Sequence, residues 1–446
     1  MTVLQAAFAR LRLQRPAPPL QDRAEIDRLY PYWRRRVMAA SVVGYATFYL
    51  VRANISIAAD AIMGQYHISK TEWGVMLTIG TLVYSWSKFL SGVVGDQANP
   101  RYLLGLGLLG AALASFAFGF GAGVACFTLC WALNSLFQGT GVAPCVRLLT
   151  NWYSPKEIGR AWGIWNSSHQ IGGGTILLAG GYLVTRFGWR SAFWVPAGFA
   201  VLVSLWLMNR LTDSPESHGL PPVEVYRGET LAPAIRKSSE SFWAIFRAHI
   251  AGNPWVWVVS VANFFVYVVR WGILYWAPTY LIEAKSFDTL HASFSSSAFE
   301  YAGIFGAYAA GWLSDRATRG RRGPVSVAFM VLLIGFLLLL VTVPQGRVLE
   351  MTLIFIALGF LVYGPQMLVA VAAADFATKT ASSTAVGLTG LFGYLGASVC
   401  GVATGWLVDH YGWNGAIWFY AGSAAVGALL LATTWARAAA VLQPED

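Results

Sequence analysis

The sequence predicts an all-α membrane protein with twelve transmembrane helices arranged as two similar halves. Of its 446 residues, 56% are hydrophobic and only 12% are charged, and the mean hydropathy is +0.54. A soluble chain of this length carries far more charge on its surface. Long apolar runs, and short motifs that recur in both halves, also predict many membrane spans rather than several soluble domains.

Twelve apolar segments are long enough to cross a bilayer, which takes about 20 residues each. They lie near residues 36–57, 72–95, 101–121, 123–150, 159–185, 190–211, 255–283, 292–315, 324–344, 349–375, 381–408 and 414–436. A long polar stretch follows the sixth segment. The predicted order is an N-terminal tail (1–35), a six-helix bundle (36–211), a linker (212–252), a second six-helix bundle (253–436) and a C-terminal tail (437–446). We expect no cleavable signal, because the first apolar run begins too late for one.

The basic residues predict the orientation. If both termini and the linker are cytoplasmic, most of the 31 Lys and Arg residues lie on the cytoplasmic side, as the positive-inside rule requires. The other side then holds Lys70, Arg186, Arg190, Lys285 and Arg347. We therefore expect a multi-pass protein of the bacterial inner membrane with lipid as its surroundings. Nucleic acid is not an expected partner despite the net charge of +10, because the basic residues lie in short loops.

The two halves of the chain repeat each other at an offset of about 220 positions. Three pairs of landmarks carry the repeat: Gly92-Val-Val-Gly-Asp96 with Gly311-Trp-Leu-Ser-Asp315, Arg52 with Arg270, and Phe187-Gly-Trp-Arg190 with Tyr411-Gly-Trp-Asn414. Such a repeat predicts two bundles related by an axis along the membrane normal, with a substrate site between them.

Arg52 and Arg270 are the first candidate site residues, because a charge inside a membrane span is costly and is usually functional. The repeat puts them at equivalent positions in the first helix of each half, so we expect both at the cleft between the bundles. Two guanidiniums in one cavity repel unless an anion joins them, and their planar forks match a phosphate. The alternative is that each arginine pairs separately with an acid.

Three further groups inside the spans are candidates. Lys88 is either a third anion ligand or gate element, or an interior lysine paired with an acid such as Glu300. His169 lies in mid-span, where it either donates to an anion or is hydrogen-bonded packing. The glycines at 172–174 follow His169 without the spacing of a nucleotide-binding loop, so we interpret them as a close helix contact or a bend.

Charged residues at the predicted cytoplasmic helix ends are candidates for gating. Asp96 lies near Arg101, and Asp315 lies near Arg316 and Arg322, so we expect loop charge pairs that stabilise one conformation. For Glu300 and Arg147, the sequence leaves open whether the side chain has a gating or a structural role. No disulfide is expected, because all four cysteines lie in apolar segments. No metal or cofactor is expected either. Cys126 and Cys130 are one turn apart but lack accompanying His or acidic residues.

The pattern of motifs resembles the organophosphate:phosphate antiporters of the major facilitator superfamily. The motifs are Phe48-Tyr-Leu-Val-Arg52-Ala-Asn54, Ser87-Lys88-Phe89, Gln138-Gly139, Pro144-Cys145-Val-Arg147, Trp165-Asn166-Ser-Ser-His169, Tyr267-Val-Val-Arg270-Trp-Gly272, Trp276-Ala-Pro278-Thr-Tyr280-Leu, Glu300-Tyr-Ala-Gly303 and Tyr363-Gly-Pro365-Gln. The resemblance covers about residues 30 to 436. It implies the major facilitator fold, twelve transmembrane helices in two pseudo-symmetric six-helix bundles.

The resemblance also implies site residues. The paired arginines that bind the phosphoryl group match Arg52 and Arg270. The family's second-helix lysine and fifth-helix histidine match Lys88 and His169. Tyr267 matches an aromatic beside the seventh-helix arginine, and we include Asn166, which shares its motif with His169. Together these six residues are the predicted substrate site.

The chain departs from many members of the family at four positions. Ala53 replaces a lysine after the first-helix arginine, and Tyr275 replaces an aspartate before the tryptophan of helix seven. Val386 and Thr389 stand where hexose-phosphate members carry Asp and Lys. The last two departures weaken the assignment of a hexose phosphate as substrate. A three-carbon phosphate is favoured, and glycerol 3-phosphate, phosphoglycerate and phosphoenolpyruvate all stay open.

The predicted function is uptake of an organic phosphate in exchange for inorganic phosphate by alternating access, with the protein as a monomer. A different class of function fits the same residues: a transporter-like receptor that reports external organophosphate to a regulatory kinase. An enzyme is not expected, because the sequence offers no nucleophile–base pair or metal set with usable spacing.

Overall fold

The computed structural model describes residues 13–95, 98–229, 246–378 and 381–437. Asp96 and parts of the predicted tails and linker (1–12, 230–245 and 438–446) lie outside these ranges. Apart from short one-turn helices, the described chain folds into α1 (Arg23–Leu50), α2 (Asn54–Tyr66), α3 (Lys70–Gly95), α4 (Pro100–Phe118), α5 (Val124–Gln138), α6 (Val142–Trp152), α7 (Ile158–Phe187), α8 (Ser191–Arg210), α9 (Pro254–Lys285), α10 (Thr289–Arg316), α11 (Arg322–Thr342), α12 (Val348–Phe376) and α13 (Ser382–Ala432).

These helices match the twelve predicted segments with three differences. The first segment is broken into α1 and α2, and the fourth into α5 and α6, while the last two segments run through a kink as the single helix α13. In addition, α1 begins at Arg23, well before the predicted start of the first span.

The repeated Phe/Tyr-Gly-Trp motif has one backbone conformation in both halves. Gly188, between α7 and α8, has φ 79° and ψ 164°. Gly412, at the kink of α13, has φ 69° and ψ −176°. Only glycine adopts this region readily, because a Cβ would clash with the backbone. The internal repeat seen in the sequence is therefore also a repeat of local structure.

The outer surface is that of a membrane protein. Large apolar side chains are exposed around the bundle, among them Leu349, Leu429 and Phe305, each at least two-thirds exposed. Among the described residues, seven helices are long and apolar enough to cross a membrane: Arg23–Tyr66, Pro100–Phe118, Ser191–Arg210, Pro254–Lys285, Arg322–Thr342, Val348–Phe376 and Thr384–Ala432. Polar residues lower the hydropathy of other spans such as α3, α7 and α10, and those helices carry much of the contact between the halves.

Among the described residues, three helix pairs make most of the contact between the two halves: α3 with α13, α7 with α10, and α2 with α9. Glycines allow the close approach. A Cβ on Gly74 of α3 would clash with the carbonyl oxygen of Gly401 on α13, and a Cβ on Gly181 of α7 would clash with Ser293 of α10. Small residues at such crossings let helices pack closely inside a membrane.

Polar bonds close the end of the bundle that is predicted to face outside. Lys70 Nζ lies 3.1 Å from a carboxylate oxygen of Glu283. The carboxylate of Asp409 accepts from the backbone N–H of Thr71 at 2.8 Å and so caps the start of α3. The indole of Trp413 donates to Glu283 at 2.9 Å. Lys70 and Thr71 belong to the first half and their partners to the second, so these bonds join the two halves.

At the opposite end, the start of the linker packs on the N-terminal half. Glu157, in the loop between α6 and α7, accepts from Arg34 at 2.7 Å and also from Arg227. Burial by itself raises the pKa of Glu157, but the hydrogen bonds and charges of the two arginines outweigh burial and hold the pKa below its usual value. Arg147 pairs with the buried Asp213 at 3.0 Å, so a structural ion pair accounts for this arginine inside a predicted span.

The predicted orientation can be tested by cysteine labelling. Cys126 is exposed and near the predicted outer face, so the background should be Cys126→Ser. In that background a cysteine at Gln345 should react with an impermeant maleimide added outside intact cells. A cysteine at Lys156 should react only after the membrane is made permeable. Both positions are exposed loop residues, and the opposite labelling pattern would contradict cytoplasmic termini.

Candidate substrate site between the bundles

Arg52 lies where the first span is broken, between α1 and α2. Side-chain amides from α5 support this break, since Gln138 donates to the carbonyl of Phe48 at 2.8 Å and Asn134 donates to the carbonyl of Val51 at 3.1 Å. Unpaired carbonyls are costly inside a membrane unless protein groups satisfy them. The amides therefore stabilise an unwound turn that holds Arg52 between the bundles.

Arg52 and Arg270 meet at one aromatic ring. Each guanidinium carbon lies 4.6 Å from the ring centre of Trp271, so no more than twice that distance separates the two. Both arginines are buried, with 5% and 2% of their surface exposed. Arg52 also lies 4.0 Å above the ring of Tyr84. The structure thus brings the two arginines together at the interface between the halves, where the repeat predicts them.

Arg270 is the first member of a hydrogen-bond chain. Its Nη2 donates to the hydroxyl of Tyr363 at 3.1 Å, and that hydroxyl donates to Oε1 of Glu300 at 2.7 Å. Glu300 is fully buried on α10, and Gly173 of α7 leaves room beside its Oε2. Glu300 therefore acts on Arg270 through a tyrosine from another helix. Because this connection depends on how side chains from three helices meet, the motifs did not reveal it.

Lys88 lies among tyrosines. Its Nζ is 3.5 Å from the hydroxyl of Tyr394, which in turn donates to the hydroxyl of Tyr84 at 3.4 Å. The ring of Tyr267 packs edge-on against Tyr394, 5.6 Å away. The alternative pairing of Lys88 with Glu300 is not among the bonds of the described residues. The aromatic cluster instead links Lys88 to the arginine pair.

His169 bridges the two halves at the same level. Its ring lies 5.5 Å from the ring of Tyr49 and 5.9 Å from that of Tyr363, and it is buried. Asn166 lies about one turn earlier on α7 and is exposed. His169 therefore lies with the arginines, whereas Asn166 lies closer to the end of the bundle that carries the termini.

Three of the predicted gating residues, Arg101, Asp315 and Arg316, lie away from this cluster. Asp315 pairs with Arg322 at 2.5 Å, and Arg322 also bonds Asp375 at 3.1 Å. Arg316 stacks over Trp312 on its own helix. Arg101 donates to the carbonyl of Met208. The described charge pair thus lies within the second half, and a gating role for these residues stays a prediction.

The site has an excess of positive charge. Across the described residues, no carboxylate forms an ion pair with Arg52, Arg270 or Lys88. Glu300 is the nearby acid, and it reaches Arg270 only through Tyr363. Aromatic rings fill much of the remaining surface. Such a cluster suits an anion that accepts several charge-assisted hydrogen bonds.

Comparison with known proteins agrees with this architecture. Residues 41–399 match the Major Facilitator Superfamily. A bacterial homolog of the human lysosomal transporter Spinster, solved in an inward-facing and unoccupied conformation, superimposes with a TM-score of 0.72 at 16% identity, covering 91% of this chain and 96% of its own. The chain is therefore an integral, multi-pass membrane protein with the major facilitator fold, and a transporter-type protein rather than an enzyme.

More similar relatives specify the family. A "Probable hexose phosphate transport protein" of Chlamydia pneumoniae is 36% identical, over 93% of this chain and 94% of its own length. A "Glycerol-3-phosphate transporter" of Bacillus subtilis is 37% identical, over 95% and 98%. The "Membrane sensor protein UhpC" of Salmonella typhimurium is 37% identical, over 93% and 94%. The chain belongs to the organophosphate:phosphate antiporter family of the major facilitator superfamily.

The chain from Arg270 through Tyr363 to Glu300 can be tested by a double-mutant cycle. Tyr363→Phe removes two hydrogen bonds, the one from Arg270 and the one to Glu300. Since one bond to a charged group contributes about 1.5–3 kcal/mol, we expect the variant to lose at least that much stability. Combined with Glu300→Gln, it should cost less than the sum of the single changes, because the two residues share one bond. Stability can be followed by thermal unfolding of the purified protein.

Tyr420→Phe is the matched control for this cycle. It removes the buried hydroxyl that lies 2.8 Å from the neutral Thr404, so its cost should be nearer about 0.5–1.5 kcal/mol. Strict additivity of Tyr363→Phe and Glu300→Gln would show that the two side chains do not act together.

Proposed function

We propose that the protein takes up an organic phosphate ester in exchange for inorganic phosphate by alternating access. The observation that supports this most is the pair of buried arginines, one from each half, that meet at a single indole with no ion-paired acid among the described residues. A phosphate ester carries a charge of about −1.5 to −2 near neutral pH, which matches the sum of two guanidiniums.

The charge balance explains obligatory exchange. Without an anion, the two arginines repel each other and the halves resist closing around them. A bound phosphoryl group neutralises both and draws the halves together, so that only the loaded site changes conformation easily. A ligand shifts such an equilibrium only through different affinities for the two states, and an anion shared by both halves provides this difference.

The conformation of the structure fits one state of this cycle. The bonds of Lys70 with Glu283 and of Asp409 with the start of α3 close the outer end. Uptake requires these bonds to break and reform in every turn. In this proposal both termini are cytoplasmic, the protein lies in the bacterial inner membrane, and it works as a monomer.

A three-carbon phosphate remains the favoured substrate. Thr389 is buried and bonds Ser260 of α9 at 3.0 Å, so it packs between helices. Neither it nor Val386 offers the charge that hexose-phosphate members carry at these positions. Overall identity does not decide the substrate, because a hexose-phosphate and a glycerol-phosphate relative are almost equally similar to this chain.

A second function has an observation in its favour. A relative named as a membrane sensor is as similar to this chain as the transporters are. In that case the protein would bind an external organophosphate and report it to a regulatory kinase, with the same arginines as ligands. Binding without transport would distinguish this function.

Reconstituted protein provides the decisive test. Liposomes loaded with phosphate should take up labelled glycerol 3-phosphate or phosphoglycerate without a proton or sodium gradient. Empty liposomes should take up little. Uptake that needs a proton gradient and no internal phosphate would refute exchange and indicate symport, with Glu300 as the first residue to test. Binding with no uptake in any condition would favour the sensor.

The arginine pair can be tested by charge-conserving substitution. Arg52→Lys and Arg270→Lys keep the charge but lose the planar fork, and hydrogen bonds to charged groups contribute about 1.5–3 kcal/mol each. Affinity for phosphate should therefore fall about tenfold or more for each, and the losses should not add, since both act on one phosphoryl group.

Arg186→Lys is the control, because Arg186 is exposed near the predicted outer loop before α8. It should exchange phosphate like the wild type. Folded, inserted Arg52→Lys and Arg270→Lys proteins with wild-type affinity would exclude a bidentate arginine site.

A further inference from the structure

Trp271 follows Arg270 on α9 and lies between the two arginines of the site. Its side chain is fully buried, and the guanidinium carbons of Arg52 and Arg270 both lie 4.6 Å from its ring centre. A guanidinium is attracted to the electron-rich face of an indole. The ring therefore contacts one cation from each half of the protein.

The indole N–H of Trp271 has no acceptor among the described residues, and neither has Nε of the adjacent Arg270. A buried donor without an acceptor is destabilising, so such a donor often marks a place where a ligand binds. Here two donors without acceptors belong to neighbouring side chains, and the guanidinium of Arg52 contacts the ring of one of them.

An unpartnered indole alone would not single out Trp271. Trp276 on the same helix is also fully buried with an unpartnered N–H. Its ring, however, packs 6.1 Å from the ring of Trp413, in an apolar region of the second half. The difference between the two tryptophans is the pair of arginines, and this difference makes Trp276 a matched control.

We propose that Trp271 is a third ligand of the phosphoryl group, donating its indole N–H to a phosphoryl oxygen while its ring positions both guanidiniums. This inference rests on the proposed function, because it presupposes that the arginines bind a phosphoryl group. In this role Trp271 contributes to the specificity of the site as well as to its affinity for the phosphoryl group. A site with an N–H donor beside two guanidinium forks favours a tetrahedral oxyanion over a planar carboxylate, which offers fewer acceptor directions.

The test compares binding of radiolabelled inorganic phosphate to purified full-length wild-type, Trp271→Phe and Trp276→Phe proteins. Phenylalanine keeps an aromatic ring and removes the N–H. We expect Trp271→Phe to weaken phosphate binding about tenfold or more, the worth of one bond to a charged group, and Trp276→Phe to bind within about twofold of wild type. Trp271→His, which keeps a ring N–H, should recover part of the loss.

A spectroscopic measurement covers the case in which Trp271→Phe does not fold. In protein labelled with ¹⁵N-tryptophan, adding phosphate should move one indole N–H resonance downfield. The shift should persist in Trp276→Phe, and in Arg270→Lys it should require about tenfold more phosphate or higher. Equal phosphate affinity of wild type and Trp271→Phe, or no indole shift on binding, would overturn the role of Trp271 and leave the proposed function standing. A wild-type protein that binds neither phosphate nor its esters would overturn both.

Discussion

Two like charges buried at one place in a membrane are the constraint on which the rest of this structure depends. At the greatest separation that Trp271 allows, two guanidiniums repel by about 2 kcal/mol at an effective dielectric constant of about 20. A cation–π contact contributes about 0.5–2 kcal/mol, and Arg52 has such contacts with both Trp271 and Tyr84. The aromatic surroundings thus offset much of the repulsion without adding an acid that would compete with an anion.

The unwound turn of the first span is the second condition for the site. A regular helix would leave no turn at Arg52, and it would not need the amides of Asn134 and Gln138. Because those amides replace the missing helical bonds, hydrogen bonds from α5 hold the turn that carries Arg52. Polar groups on α5 therefore help to build the binding site although they lie outside it, and their backbone partners fix the arginine in place.

Much of the fold could be predicted, because hydropathy and the internal repeat report global features. Because Arg52 and Arg270 are equivalent in the repeat, their position at the interface between the halves could be predicted. The repeat also extends to the backbone, since Gly188 and Gly412 adopt matching conformations. The break at Arg52 could not be predicted, since no glycine or proline lies at residues 51–53. The role of Glu300 was equally hidden, because its partner depends on how three helices are rotated against each other. Substrate, exchange and gating stay proposals.

The contact between Gly74 and Gly401 has a consequence for how closely α3 and α13 can pack. At the end predicted to face outside, the backbones of the two helices meet directly, so the space between them limits how closely they can pack. The charge pair of Lys70 and Glu283 is weakened by salt because it lies near the surface, whereas a steric limit is indifferent to salt. Two missing side chains therefore set how closely α3 and α13 approach each other, and this steric limit should not change with salt.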